Sequence, residues 1–253
     1  MTMSISVAIA MPVYNESDGI SETLSTLDMA FYENNIDVEL FIQNDLSTDD
    51  TLTKIEEVRP QLKMKIFVET NHVNLGHGPT TWSAYKRAAV STCNTIMQLD
   101  SDGQFYPAQI PQIIRACLDS GSSVIGVRKS RVDPWYRKAL TSSLKKYLFL
   151  RFKLQCSDPN SPVRAYPTGV LERLVNQIPE NPLIPNIYLS ILASAQKIRV
   201  VEVPIDHRVR RGTESTGTMW SAKMSKPRLI PKKLIKFCFR SYLELGLFRK
   251  NLK

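Results

Sequence analysis

Apolar and polar positions alternate in blocks along the first half of the chain. Residues 5–14 (ISVAIAMPVY), 38–45 (VELFIQND), 65–70 (KIFVET), 94–100 (NTIMQLD) and 122–128 (SSVIGVR) are short apolar runs, most of them closing on polar residues. Runs of this length, rich in Val, Ile and Phe, predict strands covered on both faces. Between them Ile20, Leu24, Leu27 and Phe31, and then Leu52, Ile55 and Val58, recur at helical spacing. Further helices are predicted near 80–92 and 107–119. Strands alternating with such helices predict parallel pairing through βαβ crossovers, hence an α/β fold with a mostly parallel sheet flanked by helices. After about residue 130 the pattern turns helical, with one later strand expected at 198–205 (IRVVEVPI). No linker or repeat interrupts it, so the expected organisation is one domain over 1–222 and an extension over 223–253.

Three polar clusters stand where predicted strands end: YNES (14–17), NDLSTDD (44–50) and DSDG (100–103). Open α/β sheets bind ligands beyond the carboxyl ends of their strands, so three clusters on one edge outline a single site. Asp100 and Asp102 lie two apart, and on an extended segment their side chains point the same way. Paired carboxylates suit Mg²⁺ or Mn²⁺, which share their coordination with substrate phosphates. Asp-Ser-Asp-Gly is equally good chemistry for a solvated turn. Ser47 to Asp49 read as the N-cap of the second helix. Asp45 precedes that cap and is placed to accept hydrogen bonds from a base or ribose. Asn74, Gly76, His77 and Gly78 form a loop ahead of the third helix, where glycines allow close backbone approach and a helix N-terminus can face phosphate. His77 serves either that ligand or its own backbone.

MPVYNES, NDLSTDDTL, NLGHGPTTWSAYKRA and MQLDSDGQF, in this order, resemble the family-2 glycosyltransferases with a GT-A fold, a Rossmann-like arrangement. The resemblance covers roughly residues 5–130 and continues more loosely to about 220. It implies a nucleotide-diphosphate sugar donor and a divalent cation, Mg²⁺ or Mn²⁺, held by Asp100 and Asp102. It places Pro12, Tyr14, Asn15, Glu16, Gly76, His77 and Gly78 on the donor and Asp45 at its nucleobase. Leu46 stands where the family has glycine. The nearest subgroup is similar to polyprenyl-phosphate transferases of the dolichyl-phosphate mannose synthase type. Asp158, Ser161 and Arg164 in LQCSDPNSPVRAY resemble its Asp-then-Arg segment. Arg208, Arg210, Arg211 and Ser215 in VPIDHRVRRGTEST resemble its basic loop, with Thr216 in place of the usual Lys. Guanidinium groups grip phosphate through paired hydrogen bonds, so these residues are expected on the acceptor or its phosphate, with Arg164 joining Asp100 and Asp102 as catalytic. Hydroxyl acceptors need a general base, and relatives using one show a late Asp. Here the corresponding helix, IPNIYLSILAS, has Asn186 and no carboxylate, which suits an acceptor phosphate that is already ionised.

Charge and composition refine this picture. The net charge of +9 over 253 residues lies entirely in Lys223–Lys253, where ten Lys or Arg face Glu244 alone. A neutral body without interleaved basic and aromatic residues argues against nucleic-acid binding. Four scattered cysteines without a CxxC pair suit a reducing compartment. The opening MTMSISVAIAMPVY lacks a basic n-region and reads as a strand, not a signal peptide. No apolar run approaches a membrane span. In PKKLIKFCFRSYLELGLFRK, Leu234, Cys238, Tyr242 and Leu245, joined by Ile235 and Phe239, line one helix face, and Lys232, Lys236 and Arg240 take the other. Such a helix either docks on its own domain or lies on an anionic membrane surface. The expectation is an inverting, metal-dependent transferase acting on a polyprenyl-phosphate-type lipid, peripheral on the cytoplasmic face of a membrane. The alternative is a soluble transferase acting on a sugar hydroxyl.

Overall fold

The computed structural model describes residues 5–129, 135–208 and 232–251. Seven strands, β1 (Ile5–Val13), β2 (Ile36–Asn44), β3 (Lys65–Thr70), β4 (Thr95–Gln98), β5 (Ser123–Arg128), β6 (Arg164–Pro167) and β7 (Val200–Ile205), form one sheet in the order β3-β2-β1-β4-β6-β5-β7. Four helices, α1 (Ile20–Glu33), α2 (Thr51–Val58), α3 (His77–Ala89) and α4 (Ile110–Ser120), fall between successive strands of the first half. They are followed by α5 (Trp135–Phe152), α6 (Thr168–Val175), α7 (Pro185–Ala195) and α8 (Lys232–Asn251). The α/β class and the strand–helix alternation are those expected.

β1 shows why the sheet is central. Val7, Ile9, Met11 and Val13 project to one face, into a core shared with α1, α2 and α4. Ala8 and Ala10 project to the other, among Ala84, Tyr85 and Ala88 of α3. Each fully buried Val or Ile contributes about 1.5–3 kcal/mol, and the small alanines let α3 lie close to the strand. β1 pairs in parallel with β2 on one side and β4 on the other, so the chain changes winding direction between β1 and β4. That is where an open sheet leaves a crevice.

Two departures from expectation matter for function. The sequence pattern predicts one strand after residue 130; the described residues hold two. β6 lies antiparallel between β4 and β5, making the sheet mixed. It is four residues long, ends in Pro167 and carries Arg164 at full burial, the reverse of the apolar signal that marks an inner strand. The second departure concerns α8. Leu234, Leu245 and Phe248 are buried, with Phe248 edge-on to Tyr188 at 4.6 Å and Tyr242 edge-on to Tyr147 of α5 at 4.8 Å. The helix therefore docks on its own domain. Ile235 and Phe239, expected on that face, are 55% and 64% exposed and continue through Leu243 and Leu247 as an outward stripe. Spacing by four residues drifts around the helix, which separates this stripe from the docked face. Among the described residues no helix is long and apolar enough to cross a membrane.

Candidate active site

The loops after β1 and β2 are laced together by side chains bonding to backbone. Asn15, held at φ 50°, takes Ser47 Oγ on its backbone N–H at 3.0 Å, and its side-chain oxygen accepts the Thr48 N–H at 2.8 Å. The N–H groups of Glu16 and Ser17 donate to Thr51 Oγ1 and Asp49 Oδ2. α2 starts at Thr51 with Asp50 in the cap position, later than the Ser47–Asp49 cap expected. Asp49 still serves the first turn, accepting the Thr51 N–H at 3.1 Å, whereas Ser47 donates to Asn44. Burial pushes the Asp49 carboxyl up, but the bonds from Thr51 and Ser17 more than offset this, leaving it below its ordinary value. Pro12 is buried and its carbonyl accepts Ser101 Oγ at 3.0 Å, joining the first loop to the turn after β4. Tyr14 and Glu16 are half-buried along the same edge.

Asp45, only 3% exposed, organises the next loop. Its Oδ1 accepts Asn71 Nδ2 and the Leu75 N–H, and its Oδ2 accepts the Gly76 N–H, all at 2.8 Å. Its carbonyl takes Asn74 Nδ2 at 2.9 Å. Asn74 belongs to the loop expected ahead of α3, whereas Asn71, directly after β3, is a clamp residue that the sequence reading missed. Gly76 at φ 85° caps α3, and a side chain on Gly78 would overlap the Leu183 carbonyl. Leu46 takes φ 60°, so the chain keeps here a backbone conformation that glycine adopts without strain.

This loop delivers His77 to the carboxylate pair. His77 Nε2 lies 3.8 Å from Asp100 Oδ1, which also accepts Gln98 Nε2 at 2.8 Å. Among the described residues no donor reaches Asp100 Oδ2. Asp102 Oδ1 accepts the Gln104 N–H at 3.1 Å within the turn that Gly103 closes at φ 65°. Arg208 arrives from the far end of the chain. Its N–H donates to Gln104 O at 2.9 Å, its Nε to Gly103 O at 2.5 Å, and its guanidinium lies 5.1 Å over the Tyr106 ring. Among the described residues no group of three or more His, Cys, Asp or Glu forms a ready-made cage. Two carboxylates with hard oxygens and few other ligands fit a Mg²⁺- or Mn²⁺-type ion completed by phosphates and water. Arg210, Arg211 and Ser215 lie outside the described residues.

The segment expected against the acceptor phosphate turns inward instead. Asp158 forms a paired bond with Arg128, at 2.7 and 2.9 Å, and is 7% exposed. Ser161 is fully buried and donates to Gly126 O at 2.5 Å. Arg164 is 0% exposed, and its guanidinium donates to Ser161 O at 2.7 Å, Tyr166 Oη at 3.2 Å, Ser190 Oγ at 2.9 Å and Pro159 O. Four of its five N–H groups are thus taken by protein acceptors, which leaves it no outward fork for a phosphate. Asn186 is likewise enclosed, donating to Gln98 Oε1 and accepting from Tyr85 Oη, both at 3.0 Å. Burial raises the Tyr85 hydroxyl well above its ordinary value, so it stays a donor.

Beside this cluster a cavity of about 460 Å³ opens between the first turn of α3, the start of α7, α5 and α8. Leu144, Ile184, Leu234, Phe237 and Leu245 make it mainly apolar, and His77 and Asn186 also line it. His77 links it to the carboxylate pair, since its ring lines the cavity and lies 3.8 Å from Asp100.

Residues 8–178 match the model of Glycosyl transferase family 2, and the chain belongs to this family of glycosyltransferases. The chain is similar to undecaprenyl-phosphate 4-deoxy-4-formamido-L-arabinose transferase of Edwardsiella ictaluri, 25% identical over 210 residues that make up 83% of this chain and 62% of that protein. The transferase of the same name from Klebsiella pneumoniae subsp. pneumoniae is 27% identical over the same shares. The chain thus spans less than two thirds of the length of these relatives. Among solved structures, glucosyl-3-phosphoglycerate synthase from Mycobacterium tuberculosis, in complex with Mn²⁺ and UDP-glucose, superposes with a TM-score of 0.65 at 14% identity, over 98% of this chain and 80% of that one. That likeness is one of fold and agrees with a GT-A arrangement of the described residues.

Proposed function

We propose that this chain moves a sugar, with inversion, from a nucleotide-diphosphate sugar to a polyprenyl-phosphate-type lipid at the cytoplasmic face of a membrane. The apolar cavity beside the carboxylate pair carries this reading: a site for a sugar hydroxyl has no use for greasy walls, whereas a lipid phosphate must bring its chain along. What the curated relatives act on, undecaprenyl phosphate, agrees. Asp100 and Asp102 would hold Mg²⁺ or Mn²⁺, which when bound neutralises charge on the departing diphosphate. Arg208, with Arg210 and Arg211 of the same basic run, adds permanent positive charge for phosphates. Asp45 faces the nucleobase through Oδ2, which accepts a single bond among the described residues. Asn186 supplies no base, and an ionised phosphate oxygen needs none to attack the anomeric carbon as the bond to the diphosphate breaks. The outward stripe of α8, flanked by exposed Lys232, Lys236 and Arg240, complements an anionic lipid surface, with residues 223–253 as the membrane-facing extension.

The test is transfer of labelled sugar from UDP-, GDP- and CDP-sugars to undecaprenyl phosphate in detergent micelles. Sugar-lipid that forms, and is lost with EDTA and in Asp102→Ala, is expected. Transfer only to a soluble glycan hydroxyl would overturn the lipid reading. Leu144→Trp, which fills the cavity, is expected to raise KM for the lipid and leave nucleotide binding unchanged. Cosedimentation with phosphatidylglycerol vesicles is expected to fall in the double variant Phe239→Glu, Leu243→Glu.

A further inference from the structure

Arg164 is a fully buried cation, and among the described residues no carboxylate lies within ion-pairing distance of it. It sits on β6 directly opposite Gln98 of β4. From it a chain of hydrogen bonds leads to the candidate metal ligand. Arg164 Nη1 donates to Tyr166 Oη at 3.2 Å, and the Tyr166 ring lies edge-on to that of Tyr85 at 6.5 Å. Tyr85 Oη donates to Asn186 Oδ1 at 3.0 Å, Asn186 Nδ2 to Gln98 Oε1 at 3.0 Å, and Gln98 Nε2 to Asp100 Oδ1 at 2.8 Å. A second strut runs from Arg164 through Ser190 Oγ, at 2.9 Å, to the Asn186 carbonyl at 2.9 Å.

The direction of every link is forced. An arginine can only donate and a carboxylate can only accept, whereas the hydroxyls and amides between them can do both. The carboxylate end therefore fixes each amide orientation along the way. We propose that Arg164, Tyr85, Asn186 and Gln98 are positioning residues that hold Asp100 by Oδ1 and so aim Oδ2 at the divalent cation. The inference rests on the cation-binding role of Asp100 proposed above. It also explains a Gln inside a fully buried four-residue strand, and an Arg that faces no ligand. Partners behind a metal ligand commonly change metal affinity by about 10–100-fold.

The experiment is titration of Mn²⁺, followed by the paramagnetic resonance of the free ion, against the full chain with and without UDP. Gln98→Leu removes the donor to Asp100. Asn186→Asp is isosteric but replaces the donating NH₂ with an acceptor, so Gln98 must turn its own NH₂ away from Asp100. Tyr85→Phe removes one oxygen and keeps the packing. Gln98→Leu and Asn186→Asp are expected to weaken Mn²⁺ binding about tenfold, Tyr85→Phe severalfold, with UDP binding in EDTA unchanged and the folded state verified by urea denaturation. A role in folding alone would shift the denaturation midpoint and leave the Mn²⁺ constant where it was. Mn²⁺ binding within twofold of wild type in all three variants, with Asp100→Asn abolishing it, overturns the positioning role and spares the metal site. Wild-type chain binding no Mn²⁺ that Asp100→Asn removes overturns both.

Discussion

The loops at the carboxyl ends of β1, β2 and β4 and the interior around β6 both concentrate polar side chains, yet they use them differently. At the loop edge, side chains bond repeatedly to backbone N–H groups of a neighbouring loop, as Asp45 does with Leu75 and Gly76. Such bonds shape the backbone around Asp100, whose Oδ1 takes Gln98 Nε2. Around β6, side chain meets side chain in sealed surroundings, and Arg164 spends its donors on the protein itself. Two arginines that looked alike in sequence show the contrast. Arg208 lies over Tyr106 beside the Asp100–Gly103 turn, while Arg164 lies at the centre of the sheet. Charge at the edge of the sheet can serve a ligand; charge buried inside it has to be satisfied by the fold.

The sharpest way to break this contrast is to truncate both arginines. Arg164→Met strands the Ser161 carbonyl in a dry interior and takes a donor each from Pro159 O, Tyr166 Oη and Ser190 Oγ, at about 1–3 kcal/mol for each group left unsatisfied, so loss of several kcal/mol in urea denaturation, or failure to fold, is expected. Arg208→Ala is expected to cost about 1 kcal/mol and to act instead on KM for the donor. Equal stability losses would erase the distinction. Next in size, Gly78→Ala forces a methyl against the Leu183 carbonyl where the two regions meet. About 1–3 kcal/mol of destabilisation is expected, together with weakened lipid transfer, because the loop that moves lines the cavity.

The loop edge has its own acid signature. The folded-state carboxyl of Asp49 lies below its ordinary value, so as pH falls the unfolded chain takes up its proton first. Its contribution is complete at neutral pH, starts to fade below about pH 5 and is lost as pH falls through the folded value. Asp49→Asn is expected to flatten the acid limb of a stability–pH curve while leaving Mn²⁺ binding intact. The smallest effect belongs to Leu46→Gly. Relief of a left-handed leucine, about 1–2 kcal/mol, is set against the greater freedom of glycine when unfolded, about 0.5–1 kcal/mol. Thermal melting is expected to show a gain of up to about 1 kcal/mol.

Much of the loop edge was legible beforehand because its signals are local. A strand ends where apolar residues stop, and Asn, Asp, Ser and Gly mark the loop that follows; β3 matched its expected bounds and the other four early strands came within two residues of theirs. Asp100, Asp102, His77 and Arg208 are accordingly gathered where the clusters pointed. The interior was not legible. Gln98 does interrupt a buried strand, which signals a partner, but that partner is Asn186, 88 residues on. β6 hid because four residues between prolines show no period, and its buried arginine argued for a surface loop.

The sequence by itself determined the element types of the first half, the single edge on which the polar clusters fall, the neutral body with its basic tail, and the family these features share. Periodicity, turn residues and charge are carried by a few adjacent positions, so they survive without coordinates. Tertiary structure alone decided that β6 enters the sheet antiparallel, that Asp158, Ser161 and Arg164 turn inward, and which face of α8 docks. Each depends on whether a polar or apolar group finds its partner in a segment tens of residues away. A side chain's type does not state its surroundings; burial and hydrogen bonding with distant neighbours do.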